Sequence, residues 1–157
     1  MPTKTKADLT IRWLIANDME EVLAGDRRSN SEFWTYSAWK DNLARRNCIG
    51  MVAVLRELNQ QYIVGAMLYD LHKEHIEVLR LFVTPEYRRR GFGSAMVEKL
   101  RLKLSQQRRR TIAANVSEYD VPAQVWLSRR GFWGRPNGDQ VRFEFIVECP
   151  ITEPESL

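Results

Sequence analysis

The stretch that decides the fold is RRRGFGS, residues 88–94. It follows a strand-like run, HIEVLRLFV at residues 75–83, and a turn at residues 84–86, and it precedes a helical pattern that begins at Ser94. Glycines let a backbone approach a ligand closely, and the N–H groups of a first helical turn have no partner within the helix. The helix dipole and the arginines both favour an anion. Residues 88–94, here called the phosphate loop, are therefore predicted to bind phosphate.

The spacing of the glycines narrows the choice of ligand. A dinucleotide-binding loop would need a third glycine where Met96 stands, and a nucleotide P-loop would need a following Gly-Lys-Ser/Thr, which is missing. What the chain has is VxPxxRxxGxG over residues 83–93. This pattern resembles the acetyl-coenzyme A signature of the GNAT N-acetyltransferases, Arg/Gln-x-x-Gly-x-Gly/Ala. The alternative is a glycine-capped turn beside a solvated arginine run.

Composition and charge bound the class of protein. The chain has 157 residues, 44% of them hydrophobic, which is typical of one globular domain. We expect this domain to span residues 9–149, with flexible ends at 1–8 and 150–157. Two cysteines, Cys48 and Cys149, lack metal-ligand spacing, so we expect no disulfide scaffold and no metal site. No long apolar run or signal-peptide core occurs, which predicts a soluble cytoplasmic protein without a membrane partner.

The net charge of +4 raises nucleic acid as a possible partner. The positive charge is concentrated at residues 88–90 and 108–110. Coenzyme phosphates would explain the first cluster, and the second ends a predicted helix, where cations complement the dipole. Because no zinc-finger, RNP or basic-zipper motif is present, we do not expect nucleic acid to be the main partner.

Periodicity predicts strands and helices in one α/β layer fold. We expect strands at 9–15, 49–56, 62–71, 75–83, 111–116 and 141–147, with a closing hairpin that starts at Gly131 and turns near residues 136–138. We expect helices from a cap at Asn17 or Asp18 to Leu23, from a cap at Ser37 through Arg46, from Ser94 through Leu104, and at 121–129 capped by Asp120. Gly25 is predicted to end the first helix, and residues 26–32 to form a polar loop.

This order of elements also matches the GNAT fold over residues 10–147. The resemblance implies an α/β (α+β) domain with a mixed, mostly antiparallel sheet of six or seven strands flanked by four helices. It is closest to RimI-like protein N-terminal acetyltransferases, through Gly131-Phe132 after the last helix and Trp34-Thr35 before the second.

The resemblance implies acetyl-CoA as co-substrate. In the family, loop amides hold the pyrophosphate, the preceding strand pairs with the pantetheine arm, and the fourth and fifth strands part to form a slot, which here would reach Asn115. The residues implied in coenzyme binding are Leu81, Phe82, Val83, Arg88, Arg89, Arg90, Gly91, Phe92, Gly93 and Ser94.

The catalytic positions depart from the RimI pattern. Counted back from Gly131-Phe132, the usual tyrosine acid falls on Leu127, the usual glutamate on Asn115, and the usual asparagine on Asp120. Leucine cannot donate a proton, and an amide is not a base near neutral pH.

Glu77 and Tyr119 are the alternative candidates for acid–base chemistry. Glu77 falls where the histone-acetyltransferase branch places its glutamate base, and an attacking amine needs to lose a proton. It is equally consistent with a strand glutamate paired to Arg80 or Arg142. His75 is a weaker base candidate. Tyr119 is a candidate donor to the leaving thiolate, with Tyr36 and Tyr87 not excluded by the sequence.

The function predicted is acetyl transfer from acetyl-CoA to a primary amine by direct attack, in a monomer or homodimer. The acceptor, a protein or peptide N-terminus, a lysine or a small amine, would bind between residues 26–36 and the closing hairpin. Phe33, Tyr36 and Trp133 are the acceptor-binding candidates, although such aromatics also pack helices on a sheet. The alternative function is a non-catalytic, CoA-binding regulatory or interaction module.

Overall fold

The computed structural model of the chain describes residues 8–30, 32 and 34–147, which form seven strands and four α-helices. The strands are β1 (Asp8–Trp13), β2 (Cys48–Glu57), β3 (Gln60–Leu71), β4 (His75–Val83), β5 (Thr111–Ser117), β6 (Trp133–Asn137) and β7 (Gln140–Ile146). The helices are α1 (Met19–Ser29), α2 (Tyr36–Leu43), α3 (Phe92–Arg101) and α4 (Val121–Arg129). None of these helices is both long and apolar enough to cross a membrane.

All seven strands lie in one sheet, in the order β1-β2-β3-β4-β5-β7-β6. Every neighbouring pair is antiparallel except β4 and β5, which are parallel. A parallel pair needs a crossover connection, and α3 supplies it. The predicted mixed, mostly antiparallel sheet with four helices is confirmed.

Two apolar clusters lie on opposite faces of the sheet. On one face α3 and α4 pack over the sheet, with Met96 and Leu100 of α3 buried against Ile76 and Ile112. On the other face α1 and α2 bury Val22 and Trp39 against residues of β2, β3 and β4. The buried residues of this second cluster do not extend to β5, β7 or β6. We call the α1/α2-side face of these three strands, together with Glu77 on the neighbouring start of β4, the open face.

The first helix runs on past Gly25 to Ser29, so the prediction that Gly25 ends it was wrong. A Cβ at Gly25 would lie 3.0 Å from Phe82 Cε2 and 3.2 Å from Thr84 Cγ2. The glycine therefore brings α1 close to β4. Packing, rather than a turn, explains this residue, and the predicted loop at 26–32 begins only after Ser29.

Several other boundaries differ from the predicted ones. Asp8 already belongs to β1, which ends at Trp13. Residues 1–7 and 150–157 of the predicted flexible ends lie outside the described residues, as do residues 148 and 149 of the predicted domain. Thr35, not Ser37, caps the second helix, and its hydroxyl accepts from the Ala38 amide at 3.1 Å. The predicted Asp120 cap of α4 is confirmed, with its carboxylate 3.2 Å from the Ala123 amide.

Cys48 is a free, buried thiol at the start of β2. Burial raises its pKa to about 12, helped by the charge of Asp70 nearby. The thiol is therefore protonated and unreactive near neutral pH. The other cysteine, Cys149, lies outside the described residues.

Asp26 is fully buried and joins three elements of the fold. From its place on α1 its carboxylate accepts from Arg80 Nη2 of β4 at 2.7 Å, from Trp39 Nε1 of α2 at 3.1 Å and from the Asn30 side chain at 2.7 Å. Arg80 in turn lies over the ring of Trp34, 5.2 Å from its centroid. A buried carboxylate is tolerated only when it is paired and hydrogen-bonded, and Asp26 meets both conditions.

Removing this carboxylate should destabilise the fold strongly. We expect Asp26→Ala to lower the free energy of unfolding by about 3–5 kcal/mol, because it leaves the Arg80 guanidinium without its carboxylate partner. Urea denaturation measures the change. Asp41→Ala, at an exposed position on α2, is the control and should change the same quantity by no more than ~0.5 kcal/mol. Equal effects of the two variants would contradict the role given to Asp26.

Candidate functional site

The sheet opens between β4 and β5. These strands pair only from His75↔Thr111 to Val78↔Ala114. Beyond that point β4 stays paired with β3 as far as Val83, and β5 stays paired with β7 as far as Ser117. Residues 79–83 and 115–117 therefore face each other across a slot whose backbone edges are free of strand pairing. Leu81, Phe82, Val83 and Asn115 lie along it, where the sequence predicts a parting of these strands.

A β-bulge lies where the slot begins. Leu68 pairs with Arg80 and Tyr69 pairs with Val78, so Leu79 is an extra residue in β4. A bulge leaves its extra residue out of the ladder and bends the strand. This bend turns β4 away from β5, and it leaves the backbone of Leu79 at the head of the slot.

The phosphate loop leads from β4 into α3. Gly91 has φ +83°, in the left-handed region that favours glycine, and a Cβ there would meet nothing within 4 Å. The first hydrogen bond of α3 runs from the Ala95 amide to the Gly91 carbonyl at 3.0 Å. The amides of Phe92, Gly93 and Ser94 precede it and have no partner within the helix. Open space at Gly91 and backbone amides without a partner inside the helix are thus present together at this loop.

The three arginines of the loop have different roles in the structure. Arg88 donates from Nε to the Val83 carbonyl at 3.0 Å and from Nη2 to the Ser29 carbonyl at 3.1 Å, so it ties the loop to the ends of β4 and α1. Arg89 adopts φ +65°. Arg90 lies 5.1 Å from the ring centroid of Phe92 and 3.4 Å from a carboxylate oxygen of Glu57. Two of the donors of Arg88 are therefore bound to backbone carbonyls of the protein, and its part in coenzyme binding stays a prediction.

Gly93 and Ser94 contact α4. A Cβ on Gly93 would lie 2.8 Å from Cζ2 of Trp126, so this glycine lets α3 and α4 approach each other. The Ser94 hydroxyl accepts from Arg130 Nη2 at 2.7 Å and Nε at 3.0 Å. Both side-chain positions are thus occupied by helix packing, which leaves the backbone amides for a ligand.

A charged network crosses the open face beside the slot. Arg142 of β7 donates to both carboxylate oxygens of Glu77 on β4, at 2.8 and 3.2 Å. It also lies 3.6 Å from Glu144 and 3.5 Å from the Asn115 side-chain oxygen. His75 Nε2 lies 3.3 Å from Glu77. The predicted candidates Glu77 and Asn115 are therefore brought together, and Arg142 connects them.

The network depends on a small residue in the strand between its partners. Ala113 of β5 pairs with Glu77 on one side and with Glu144 on the other. Its methyl group leaves room for the Arg142 side chain to reach β4, and the covering side chains leave Ala113 only 1% exposed. The hydrogen bond to Glu77 is the main reason that the pKa of Arg142 is raised.

The candidate proton donors lie in different surroundings. Tyr119 is 84% exposed in the connection between β5 and α4. Tyr87 packs against the core, with its ring 6.3 Å from that of Tyr62. Leu127, where the RimI pattern has tyrosine, also packs against the core. Of these side chains, the hydroxyl of Tyr119 is the one that the solvent reaches freely beyond the end of β5.

The acceptor-binding candidates lie on separate elements. Tyr36 begins α2 and is half exposed. Trp133 begins β6, is 84% exposed, and shares the open face with Glu144, its partner in the ladder. Phe33 lies outside the described residues. On the opposite face a groove of about 570 Å³ separates α4 from the β6–β7 hairpin.

The sequence reasoning missed some residues of this site. The sequence indicated Arg142 only as one possible partner of Glu77. It did not indicate a role for Glu144, Trp126 or Arg130. The alternation in β7 held the signal, because Arg142 and Glu144 share one face while Phe143 and Phe145 share the other. No pattern in the sequence marks the contacts of Gly93 and Ser94 with α4, since they depend on how two helices cross.

A family model described as "Acetyltransferase (GNAT) family" matches residues 11–132. No curated protein matches the sequence significantly.

Solved structures share the fold. The ribosomal-protein-S18-alanine N-acetyltransferase of Escherichia coli superposes with a TM-score of 0.74 at 16% identity, covering 94% of this chain and 99% of that one. NAA60 of Arabidopsis thaliana, in complex with acetyl-CoA, gives 0.75 at 15% identity, with 89% and 99% covered. Ard1 of Thermoplasma volcanium gives 0.73 at 19% identity, with 89% and 98% covered. At these identities the likeness shows the fold alone.

The stability cost of an alanine at Gly93 should depend on Trp126 of α4, whereas the cost at Gly91 should not. We expect Gly93→Ala to lower the free energy of unfolding by about 1–3 kcal/mol, because its methyl group overlaps the ring of Trp126. Trp126→Leu should remove that cost, so the double variant should be more stable than the sum of the two single effects. Urea denaturation of the four proteins in this cycle gives the coupling.

Gly91→Ala is the matched control for this cycle. Its cost comes from the backbone angle alone, so combining it with Trp126→Leu should give additive effects. If the effects of Gly93→Ala and Trp126→Leu were also additive, the Cβ introduced at position 93 would not contact Trp126.

Proposed function

Because the chain belongs to the acetyltransferase (GNAT) family, we propose that it transfers an acetyl group from acetyl-CoA to a primary amine by direct attack. The observation that carries the proposal is the slot between β4 and β5, which opens beside the phosphate loop. A slot next to unpaired amides suits an elongated ligand with a phosphate at one end and a reactive group at the other. We place the reaction in the cytoplasm, in a monomer or homodimer.

The residues present fit acetyl-CoA. The amides of Phe92, Gly93 and Ser94 and the open space at Gly91 suit the pyrophosphate, with Arg89 and Arg90 adding positive charge. The free edge of Leu81–Val83 suits the amides of the pantetheine arm, as an added strand would pair with it. Acetyl-CoA supplies an activated thioester, and the chain's own residues bind it and orient it.

Glu77 is the proposed base. The acceptor nitrogen attacks the thioester carbonyl, the carbon–sulfur bond breaks, and the nitrogen gives up a proton. A carboxylate has about four lone-pair sites, so Glu77 can hold Arg142 and still accept that proton, directly or through water. Asn115 beside it is proposed to orient the amine or a water, and Tyr119 to protonate the leaving thiolate. No metal is needed in this scheme.

The backbone at the bulge is proposed to stabilise the developing oxyanion. Leu79 is the extra residue of β4 and lies at the head of the slot. An N–H that is held in place and aimed at the carbonyl oxygen lowers the barrier without a further side chain.

The acceptor is proposed to approach from the open face, where Glu77, Arg142 and Glu144 lie. A protein amine is favoured among the candidates because the E. coli neighbour is an alanine N-acetyltransferase for a ribosomal protein. Tyr36 and Trp133, both exposed, are the proposed contacts at the two sides of this surface. A peptide array with labelled acetyl-CoA would identify the sequence preference.

A non-catalytic CoA-binding module is the second candidate. Two observations favour it: Leu127 packs into the core where the RimI pattern has a tyrosine, and Glu77 is held in a bidentate ion pair. Turnover with a panel of amines separates the two functions, since a module would bind acetyl-CoA without consuming it.

Acetyl-CoA should stabilise the native protein. At a concentration about 100 times its Kd it should add about 2.7 kcal/mol and raise the Tm by roughly 5–10 °C. Gly91→Val should abolish this shift, because a branched side chain would block the approach of the ligand to the loop amides. Gly138→Val is the matched control, since Gly138 also has a positive φ, +66°, and open space, but lies in the β6–β7 turn. An unmoved Tm in the native protein would contradict the proposal.

Glu77→Gln should lower kcat by about 100-fold or more, while acetyl-CoA affinity stays unchanged. Glutamine keeps the shape and an acceptor for Arg142 but cannot take up the proton. Glu144→Gln is the control, because Glu144 lies on the same strand as Arg142, β7, and contacts it at 3.6 Å. Steady-state kinetics and calorimetry supply the two readouts. If both variants retain native kcat, Glu77 is a structural residue.

A further inference from the structure

A second cavity lies beside the phosphate loop, between α3 and the end of α4. Its volume is about 320 Å³, and it is lined by Ser94, Val97, Glu98, Arg101, Arg129 and Arg130. Three of its six lining residues are arginines, and one is acidic. The cavity is therefore a concave surface with a surplus of positive charge.

The positive charge of this cavity is incompletely neutralised. Glu98 lies 3.6 Å from Arg101, and it is the single carboxylate among the lining residues. The pKa of Arg130 is lowered, first by burial and then by repulsion from Arg101 and Arg129. Like charges held together in this way attract an anion.

Packing accounts for two of the three arginines. Arg130 stacks on the Trp126 ring at 3.7 Å and holds the Ser94 hydroxyl. Arg101 stacks on Phe145 at 4.3 Å and donates to the Arg130 carbonyl. Cations at the ends of α3 and α4 also complement the helix dipoles.

Packing does not account for Arg129 or for one atom of Arg101. Arg129 is exposed, and within the described ranges its guanidinium has no hydrogen bond or ion pair. Arg101 Nε is buried, and no acceptor for it lies in the part of the chain that the structure describes. Free donors thus line the cavity.

The cavity adjoins the phosphate loop through Ser94. The amide of Ser94 belongs to the first turn of α3, and its hydroxyl is bound by Arg130. A pyrophosphate on the loop amides would therefore place the attached ribose next to the cavity. In coenzyme A this ribose carries a 3′-phosphate, a monoester that is close to doubly charged near pH 7.

We propose that this cavity binds the 3′-phosphate of coenzyme A, with Arg129 as its principal ligand and Arg101 and Arg130 as the positive wall. The proposal rests on the proposed function, because it takes acetyl-CoA as the molecule on the loop. Arginine suits the role, since its fork donates two parallel hydrogen bonds to phosphate oxygens. The cavity then lets the protein distinguish coenzyme A from dephospho-coenzyme A.

Calorimetry with acetyl-CoA and with acetyl-dephospho-CoA, which lacks only the 3′-phosphate, tests the proposal. The native protein should bind acetyl-CoA at least tenfold more tightly than the dephospho compound, as a charge-assisted hydrogen bond allows. Arg129→Gln should reduce this ratio about tenfold by weakening acetyl-CoA alone. Arg129→Lys should keep part of the ratio, because it retains the charge without the fork.

Lys99→Gln is the matched control. Lys99 is exposed on α3 outside the cavity lining, so this variant removes the same charge from the same region. It should leave the ratio of the two affinities unchanged. Since Arg129 and Lys99 are both exposed, neither variant should change the Tm of the free protein by more than a degree or two.

The possible results separate the two proposals. An unchanged ratio in Arg129→Gln, or an equal fall in the ratio in Lys99→Gln, overturns the 3′-phosphate site while acetyl-CoA binding stands. Equal affinity of the native protein for both compounds does the same. If the native protein binds neither compound, the proposed function fails, and the site fails with it.

Discussion

β4 has to leave β5 after Val78 while it remains paired with β3, and the candidate site depends on that constraint. The extra residue at Leu79 supplies the bend, and the resulting slot exposes backbone edges of β4 and β5 inside an otherwise continuously paired sheet. A free edge in the middle of a sheet is a costly arrangement unless something fills it, because unpaired backbone groups lose hydrogen bonds. Here it lies next to the amides that begin α3, so the two features form one continuous surface.

The two faces of the sheet divide the chemistry of this surface. On the α3/α4 side the phosphate loop, Gly93 and the arginines around Ser94 provide positive charge and close helix packing. On the open face the groups are paired carboxylates and guanidiniums, with Glu77 nearest the slot. Asp26 and Arg80 hold β4 against α1 from that second side, so the strand that borders the slot is fixed by a buried ion pair. A ligand between the faces would meet anion-binding groups on one side and proton-accepting groups on the other.

Local sequence signals predicted the fold and the position of the phosphate loop, whereas they did not predict contacts between residues that are distant in the sequence. The run at 75–83, the turn and the glycines specify strand, loop and helix by spacing alone, and the structure has all three. Gly25 was misread because glycine is a common helix terminator, yet here it lets α1 approach Phe82. Asp26 follows it in a stretch that looks polar and solvated, and its burial becomes evident only when Arg80 and Trp39 are brought to it. The bridge from Arg142 to Glu77 needs the order of three strands and the small size of Ala113, none of which periodicity reports.

Because charged and aromatic side chains alternate along β7, the charged network forms only when this strand has its correct register. Side chains on a strand alternate between faces, so a slip of β7 by a single residue would turn Arg142 and Glu144 toward the core and Phe143 and Phe145 toward water. Such a misaligned chain would lose an apolar core and its ion pairs at the same moment. A one-residue register error in β7 is therefore disfavoured by both losses.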